Sequence, residues 1–182
     1  SFDSSYVVLQ TAIKIGIQAK DTLAVLKFCN AHEKDKNEEL RMQITKAYSA
    51  LGNYEHLNFF KDNFYKVGAY KQAFFLYSYA QFLLKIDRTD ELISGYSLFQ
   101  KTLLQSNSNW IKSSTANSLK DFYNAAKNDV STQEAANENT TAEEDSAKLE
   151  EYLMRMDAIT ATISQVLSQE KNEIVIERLS KL

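Results

Sequence analysis

Residues 40–86 constrain the chain most. Two phrases of like build stand there in tandem, Leu51-Gly52-Asn53-Tyr54 and Val67-Gly68-Ala69-Tyr70. Each ends one apolar-periodic run and opens another, with Gly where a helix stops. Beyond the second phrase, from Ala69 to Ile86, the chain is nearly all apolar: Phe74, Phe75, Leu76, Tyr77, Tyr79, Ala80, Phe82, Leu83 and Leu84 follow one another closely. A helix that apolar on most of its circumference must be covered on more than one side. The spacing therefore predicts a central helix over 69–86 in a stacked helical array.

The absence of proline and the presence of only four glycines agree with helices and disfavour a fold built on tight turns. With 182 residues and 44% hydrophobic content, the chain can bury one substantial domain. A formal net charge of −3 gives no basic footprint for nucleic acid. Cys29 is the only cysteine, so no internal disulfide forms. Lys71, Gln72, Gln81 and Lys85 interrupt the most apolar stretch, and no membrane span is expected. The start on Ser1 rather than Met, with no visible signal peptide, reads as a fragment or a processed product.

Taken in order, Ser4 or Ser5 caps a first helix in which Gly16 costs up to about 1 kcal/mol unless close packing needs it. Asp21 caps a second helix, which ends in the charged loop 32–36. Asn37 opens a third, stopped by Gly52, and Asn53 caps a short fourth. After the central helix, Asp87 or Thr89 opens a sixth, and a polar turn at 106–109 precedes a seventh carrying Trp110, Ile111, Leu119 and Phe122. At Asn128 the composition turns to Asn, Ser, Thr, Gln, Glu and Ala, which predicts a polar mobile loop over 128–145. A long amphipathic helix follows, with Tyr152, Met156, Ile159, Ile163 and Val166 in steps of four and three. Two heptads fall short of a coiled coil, so its seam is read as packing onto the array. Asn172 caps a last short helix. The expected organisation is thus 1–127 as the helical array, 128–145 as the loop, and 146–182 as C-terminal helices packed on the array.

Helices in pairs with short loops are the grammar of a solenoid. Helix starts at Ser5-Tyr6-Val7-Val8, Glu39-Leu40-Arg41, Ala69-Tyr70-Lys71 and Asn109-Trp110-Ile111-Lys112 recur at roughly 30 to 41 residues, the interval of HEAT-type repeats. Asp3-Ser4-Ser5-Tyr6-Val7 and the run from Ser106 to Lys112 resemble the entry into the second helix of such a repeat. Tetratricopeptide repeats compete, since Gly52 and Gly68 stand close before aromatic residues, but those glycines are half a unit apart. The expected fold is all-α, a right-handed α-α superhelix of antiparallel, HEAT-like helix pairs.

The element order, with Asp3-Ser4-Ser5-Tyr6-Val7-Val8, residues 109–123 (NWIKSSTANSLKDFY) and residues 163–182 (ISQVLSQEKNEIVIERLSKL), resembles the C-terminal helical domain of bacterial, Bacteroidetes-type zinc aminopeptidases related to aminopeptidase N. The resemblance implies an accessory domain whose zinc and catalytic residues belong to another part of the enzyme. The His-Glu-x-x-His and Gly-Ala-Met-Glu-Asn motifs are absent from this sequence, so no catalytic residue is carried over.

Read from the residues alone, the candidate chemistry is thin. His32-Glu33 continues into Lys34, Asp35 and Lys36 and lacks the second histidine of a zinc helix. His56 stands beside Glu55 with no Cys or His near it in sequence. Cys29 follows Phe28 on an amphipathic helix, which predicts burial and not nucleophilicity. The aromatic residues from Phe59 to Phe82 line either a core or a ligand groove, with the core favoured. Glu143-Glu144-Asp145 suits a helix start but lacks the ligand spacing of a calcium loop. No catalytic, cofactor or metal residue is assigned, and the chain by itself is not expected to be an enzyme. Two function classes remain, an accessory solenoid beside the catalytic domain of the same polypeptide and a free-standing scaffold for a peptide or protein partner.

Overall fold

The computed structural model describes the backbone of residues 4–18, 21–64, 66–137 and 143–182. Among these the chain is all-α, with no strand. It divides into two compact units, Ser1–Ile86 and Asp87–Leu182.

The first unit holds α1 (Ser4–Gln18), α2 (Thr22–His32), α3 (Glu38–Leu51), α4 (Leu57–Asn63) and α5 (Ala69–Ile86), with a one-turn 3-10 helix at Tyr54–His56. Local chemistry sets several ends. Asp21 accepts from the Ala24 N–H at 3.1 Å, and Asn37 accepts from the Leu40 N–H at 3.0 Å, each covering an orphan donor of a first turn. Gly52 ends α3 in the left-handed region, φ 68°. Gly16 is explained by packing: a Cβ there would lie 2.5 Å from Val25 Cγ2, so the small residue lets α1 and α2 meet closely.

Helix α1 packs against α2 and α3, and α3 packs against α5. The last two run parallel, because Glu38 and Glu39 at the start of α3 meet Lys71 near the start of α5, whereas Ala50 at its end meets Lys85. Parallel neighbours need a crossover, and α4 supplies it with aromatic rings. Phe60 is fully buried, its ring 5.1 Å from Tyr79 and 4.4 Å from Phe82, while Phe59 stands edge-on to Tyr48 at 5.1 Å. Helix α5 buries Ala73, Phe75, Leu76, Tyr79, Ala80, Phe82 and Leu83, in line with the expectation of cover on more than one side. One strip stays open, with Phe74 49% and Tyr77 52% exposed. Val7, Val8, Ile15 and Leu23 are also exposed.

The second unit holds α6 (Thr89–Gln105), α7 (Asn109–Asn137), α8 (Glu143–Gln169) and α9 (Glu173–Leu179). Helices α6, α7 and α8 pack on one another, and α9 lies on α7 and α8. Lys112 meets Glu170 and Gln133 meets Asp145, so α7 and α8 are antiparallel. The core is Leu92, Tyr96, Phe99, Leu103, Leu119, Phe122, Ile159, Val166, Val175 and Leu179.

The expected loop over 128–145 is corrected here. Residues 128–137 continue α7 and 143–145 begin α8, while 138–142 lie outside the described residues. The boundary expected at 127/128 therefore falls inside a helix. Nothing in 128–137 stops one: there is no Gly or Pro, and Ala126, Val130 and Gln133 keep a helical spacing, with Ala126 and Gln133 buried. Trp110, expected on the buried face of α7, is 58% exposed.

Truncation at the heart of α5 should be costly. Leu83→Ala is expected to lose about 2–5 kcal/mol in a denaturation curve, since Leu83 is fully buried; near-wild-type stability would contradict its core role. Val130→Pro should cost about 3 kcal/mol if α7 runs to Asn137, and close to nothing if the segment is a loop.

Candidate functional site

Among the described residues, no three His, Cys, Asp or Glu side chains gather as a metal-holding group. No described helix is long and apolar enough to cross a membrane. The chemistry-bearing residues fall into three local arrangements, each within one unit.

The first gathers the residues singled out in the sequence. Cys29 is fully buried on α2, and burial, then Glu33, pushes its thiol up to about 12. His56 is buried against Tyr48, ring on ring at 3.7 Å and 5°, with Nε2 3.4 Å from a Glu55 carboxylate oxygen. Tyr48 donates to Asn30 at 2.7 Å, and burial and then Glu33 raise its hydroxyl well above the ordinary phenol. A buried, deprotonation-resistant thiol and phenol make packing groups, not nucleophiles. His32 is half-buried, with its ring 4.7 Å from that of Phe28. The rings of Phe59, Phe60, Phe64, Phe75, Tyr79 and Phe82 are core. The side chains of Glu143 and Glu144 lie outside the described residues.

Burial lowers the His56 imidazole below its ordinary value of 6.5, against the opposing pull of Glu55 and Glu33. Folded His56 binds a proton less readily than unfolded His56. Its contribution is therefore complete above pH 6.5 and is lost as pH falls below 6.5 through the depressed folded value. Denaturation midpoints should fall on acidification across that window, and His56→Phe should remove that part of the slope. An unchanged slope would show His56 to be indifferent.

The second arrangement was not visible in the sequence stripe of α8. Arg155 is 3% exposed and every guanidinium nitrogen is engaged. Nε donates to Thr89 Oγ1 at 2.6 Å, one terminal nitrogen donates to the Asp87 carboxylate, and the other donates to Glu151 at 2.9 Å and to the Asp87 carbonyl at 3.3 Å. Asp129 stands 4.0 Å away. Asp87 holds its place with φ 51°, a conformation that aspartate tolerates better than most residues. The arrangement ties the segment before α6 to α8. An open pocket of about 490 Å³ beside it is lined by Asp87, Arg88, Thr89, Asp90, Glu151 and Met154. The signal in the sequence was Arg155 itself, four residues before Ile159 on the buried face.

The clamp should be asymmetric. Its carboxylates are largely exposed, 57% for Asp87 and 46% for Glu151, whereas the cation is buried. Replacing both Asp87 and Glu151 by Ala strands a buried charge and should cost on the order of 3 kcal/mol, whereas Arg155→Met frees the carboxylates to water and should cost less. Equal losses would refute this ordering.

The third arrangement is a groove of about 470 Å³ on the first unit, between the C-terminal halves of α3 and α5. Lys46, Ser49 and Ala50 form one wall, and Tyr77, Ser78, Gln81, Leu84 and Lys85 the other. Gly52 shapes its end. A Cβ there would lie 2.6 Å from Lys85 Cγ, so only glycine lets the lysine stem cross the end of α3 and its ammonium donate to the Ala50 carbonyl. The half-exposed Tyr77 belongs to the open strip of α5. The sequence reading put these aromatic residues in core or groove; Tyr79 and Phe82 are core, and Tyr77 is in the groove.

Compared with family models, with curated proteins and with solved structures, the chain finds no match in any of the three.

Proposed function

We propose that this chain is a non-catalytic α-solenoid of HEAT-like helix pairs that works by carrying protein contacts, as the C-terminal helical domain of a zinc aminopeptidase does for its catalytic domain. The observation that carries the reading is the open α3–α5 groove with Tyr77 half out of it, on an otherwise packed pair of parallel helices. Consecutive contacts of α1 with α3 and of α3 with α5 suit a stack of repeats. The resemblance in residues 109–123 and 163–182 supplies the kind of partner, a metallopeptidase catalytic domain of the same polypeptide that holds the zinc.

The test adds the purified chain to a Bacteroidetes-type zinc aminopeptidase lacking its own C-terminal helical domain. Co-elution and a changed kcat/KM for aminoacyl-amide substrates are expected, and Tyr77→Glu should weaken both by about tenfold or more while leaving the melting temperature in place. Absence of association would overturn the accessory-domain reading and leave the alternative, a free-standing helical scaffold. Turnover by the chain alone that survives repurification would overturn both.

A further inference from the structure

Two buried side-chain polar atoms among the described residues meet no hydrogen-bond partner, Arg41 Nε and His56 Nε2. Arg41 still donates through its terminal nitrogens to the carbonyls of Lys66 and Asp35. His56 is 4% exposed and its ring lies flat on Tyr48 at 3.7 Å. It stands where the crossover begins. His56 ends the 3-10 turn and heads α4, and its side chain makes no capping bond there. The start of α4 is therefore placed by the seat of this ring on α3 and not by a side-chain cap. Phe59 stands edge-on to the same Tyr48 ring, and Phe60 carries the aromatic packing on to Tyr79 and Phe82.

The groups around the imidazole favour a cation that its seat excludes. Glu55, on the same turn, brings a carboxylate oxygen to 3.4 Å from Nε2, a contact that becomes an ion pair only when the ring is protonated. Glu33, at the end of α2, acts with the same sign, and no cation is among the groups that act on the ring. Helix α3 presents the Tyr48 ring, whose hydroxyl is committed to Asn30, and α4 presents Phe59 to that ring. Burial outweighs both carboxylates and keeps the seated imidazole neutral. The Glu55 side chain is 66% exposed, so an imidazolium that turns toward it reaches a counter-charge and water together. Neutral His56 belongs in the seat, and charged His56 belongs outside it.

We propose that His56 is a local acid switch: on protonation its ring leaves Tyr48 and pairs with Glu55 at the surface, and the 3-10 turn and α4 come away while the second unit stays folded. The opening is local because α4 has seven residues and depends on its rings for its place. The fall in stability on acidification then begins at the crossover and is not a uniform weakening of the chain.

The test follows amide protection and the His56 ring protons of the full chain by NMR between about pH 7.5 and about pH 5. Protection factors over residues 53–64 should fall by about tenfold, as for an opening that takes up one proton at the ordinary value of 6.5. Those of α7 and α8 should change by less than about twofold. The ring protons should start upfield, shielded by Tyr48, and reach the free imidazolium position as protection is lost. His56→Phe keeps a flat ring in the seat without a titrating nitrogen and should make protection independent of pH. Glu55→Gln should reduce the fall by several-fold. Equal loss of protection in both units, or a His56 ring that titrates with no loss over 53–64, would overturn the proposal. So would a ring that titrates at its ordinary value with no upfield displacement, and an unchanged fall in Glu55→Gln would overturn the pairing it names. Should His56→Phe fail to fold, the wild-type ring and amide measurements decide the matter alone.

Discussion

Two parallel helices cannot be joined by a tight turn, and the first unit is organised around that constraint. Helices α3 and α5 lie side by side in the same direction, so the chain must return to the start before α5 begins. The one-turn 3-10 helix and seven-residue α4 make the return. Backbone alone would not hold so short a helix. The rings of Phe59, Phe60 and Phe64 hold it, by filling the space between Tyr48 on one side and Phe75, Tyr79 and Phe82 on the other. The apolar density of 69–86 is thus the landing surface for a crossover as well as a core for α3.

The ends of the parallel pair are fixed by polar contacts of different kinds. At the start, Glu38 accepts from the Gly68 N–H at 2.7 Å, which with Lys71 holds its carboxyl below the usual range. At the far end the Lys85 stem crosses Gly52. The second unit uses the same economy. Glu170 is 8% exposed; burial works against its charge, but Lys112 and the N–H groups of Lys171 and Asn172 hold it low. That carboxylate orders the turn from α8 to α9, where Asn172 caps the next helix through Ile174 and Val175.

Helix starts were legible because they are local. Asp21, Asn37 and Asn172 cap with their own side chains, and Gly52 stops α3, each within a few residues. Asn53, read as a cap, makes no such bond and precedes a 3-10 turn. In the polar run after Asn128 the low apolar content predicts a loop, but one face of contact with a long partner is enough to hold a helix. On α8 the apolar pattern pointed to Tyr152 and Met156, which are half-buried, while Arg155 occupies the buried line with Ile159, Thr162 and Val166. A charge in such a position can be recognised only once Asp87 and Thr89, more than sixty residues away, are beside it. The groove was illegible for the same reason. Ser49 and Ser78 look like ordinary helix-surface serines until α3 and α5 are placed together.

Cys29 gives the first unit a clock. Its sulfur is shielded from solvent, and its thiol is held in the unreactive protonated form well past neutral pH. Alkylating reagents can therefore reach it only in molecules whose α2 has come away from its neighbours. The rate at which label accumulates, measured at rising reagent concentration, passes from reporting how often such openings are populated to reporting how fast they occur. A single native thiol thus separates the equilibrium of opening from its kinetics, with no probe added to the chain.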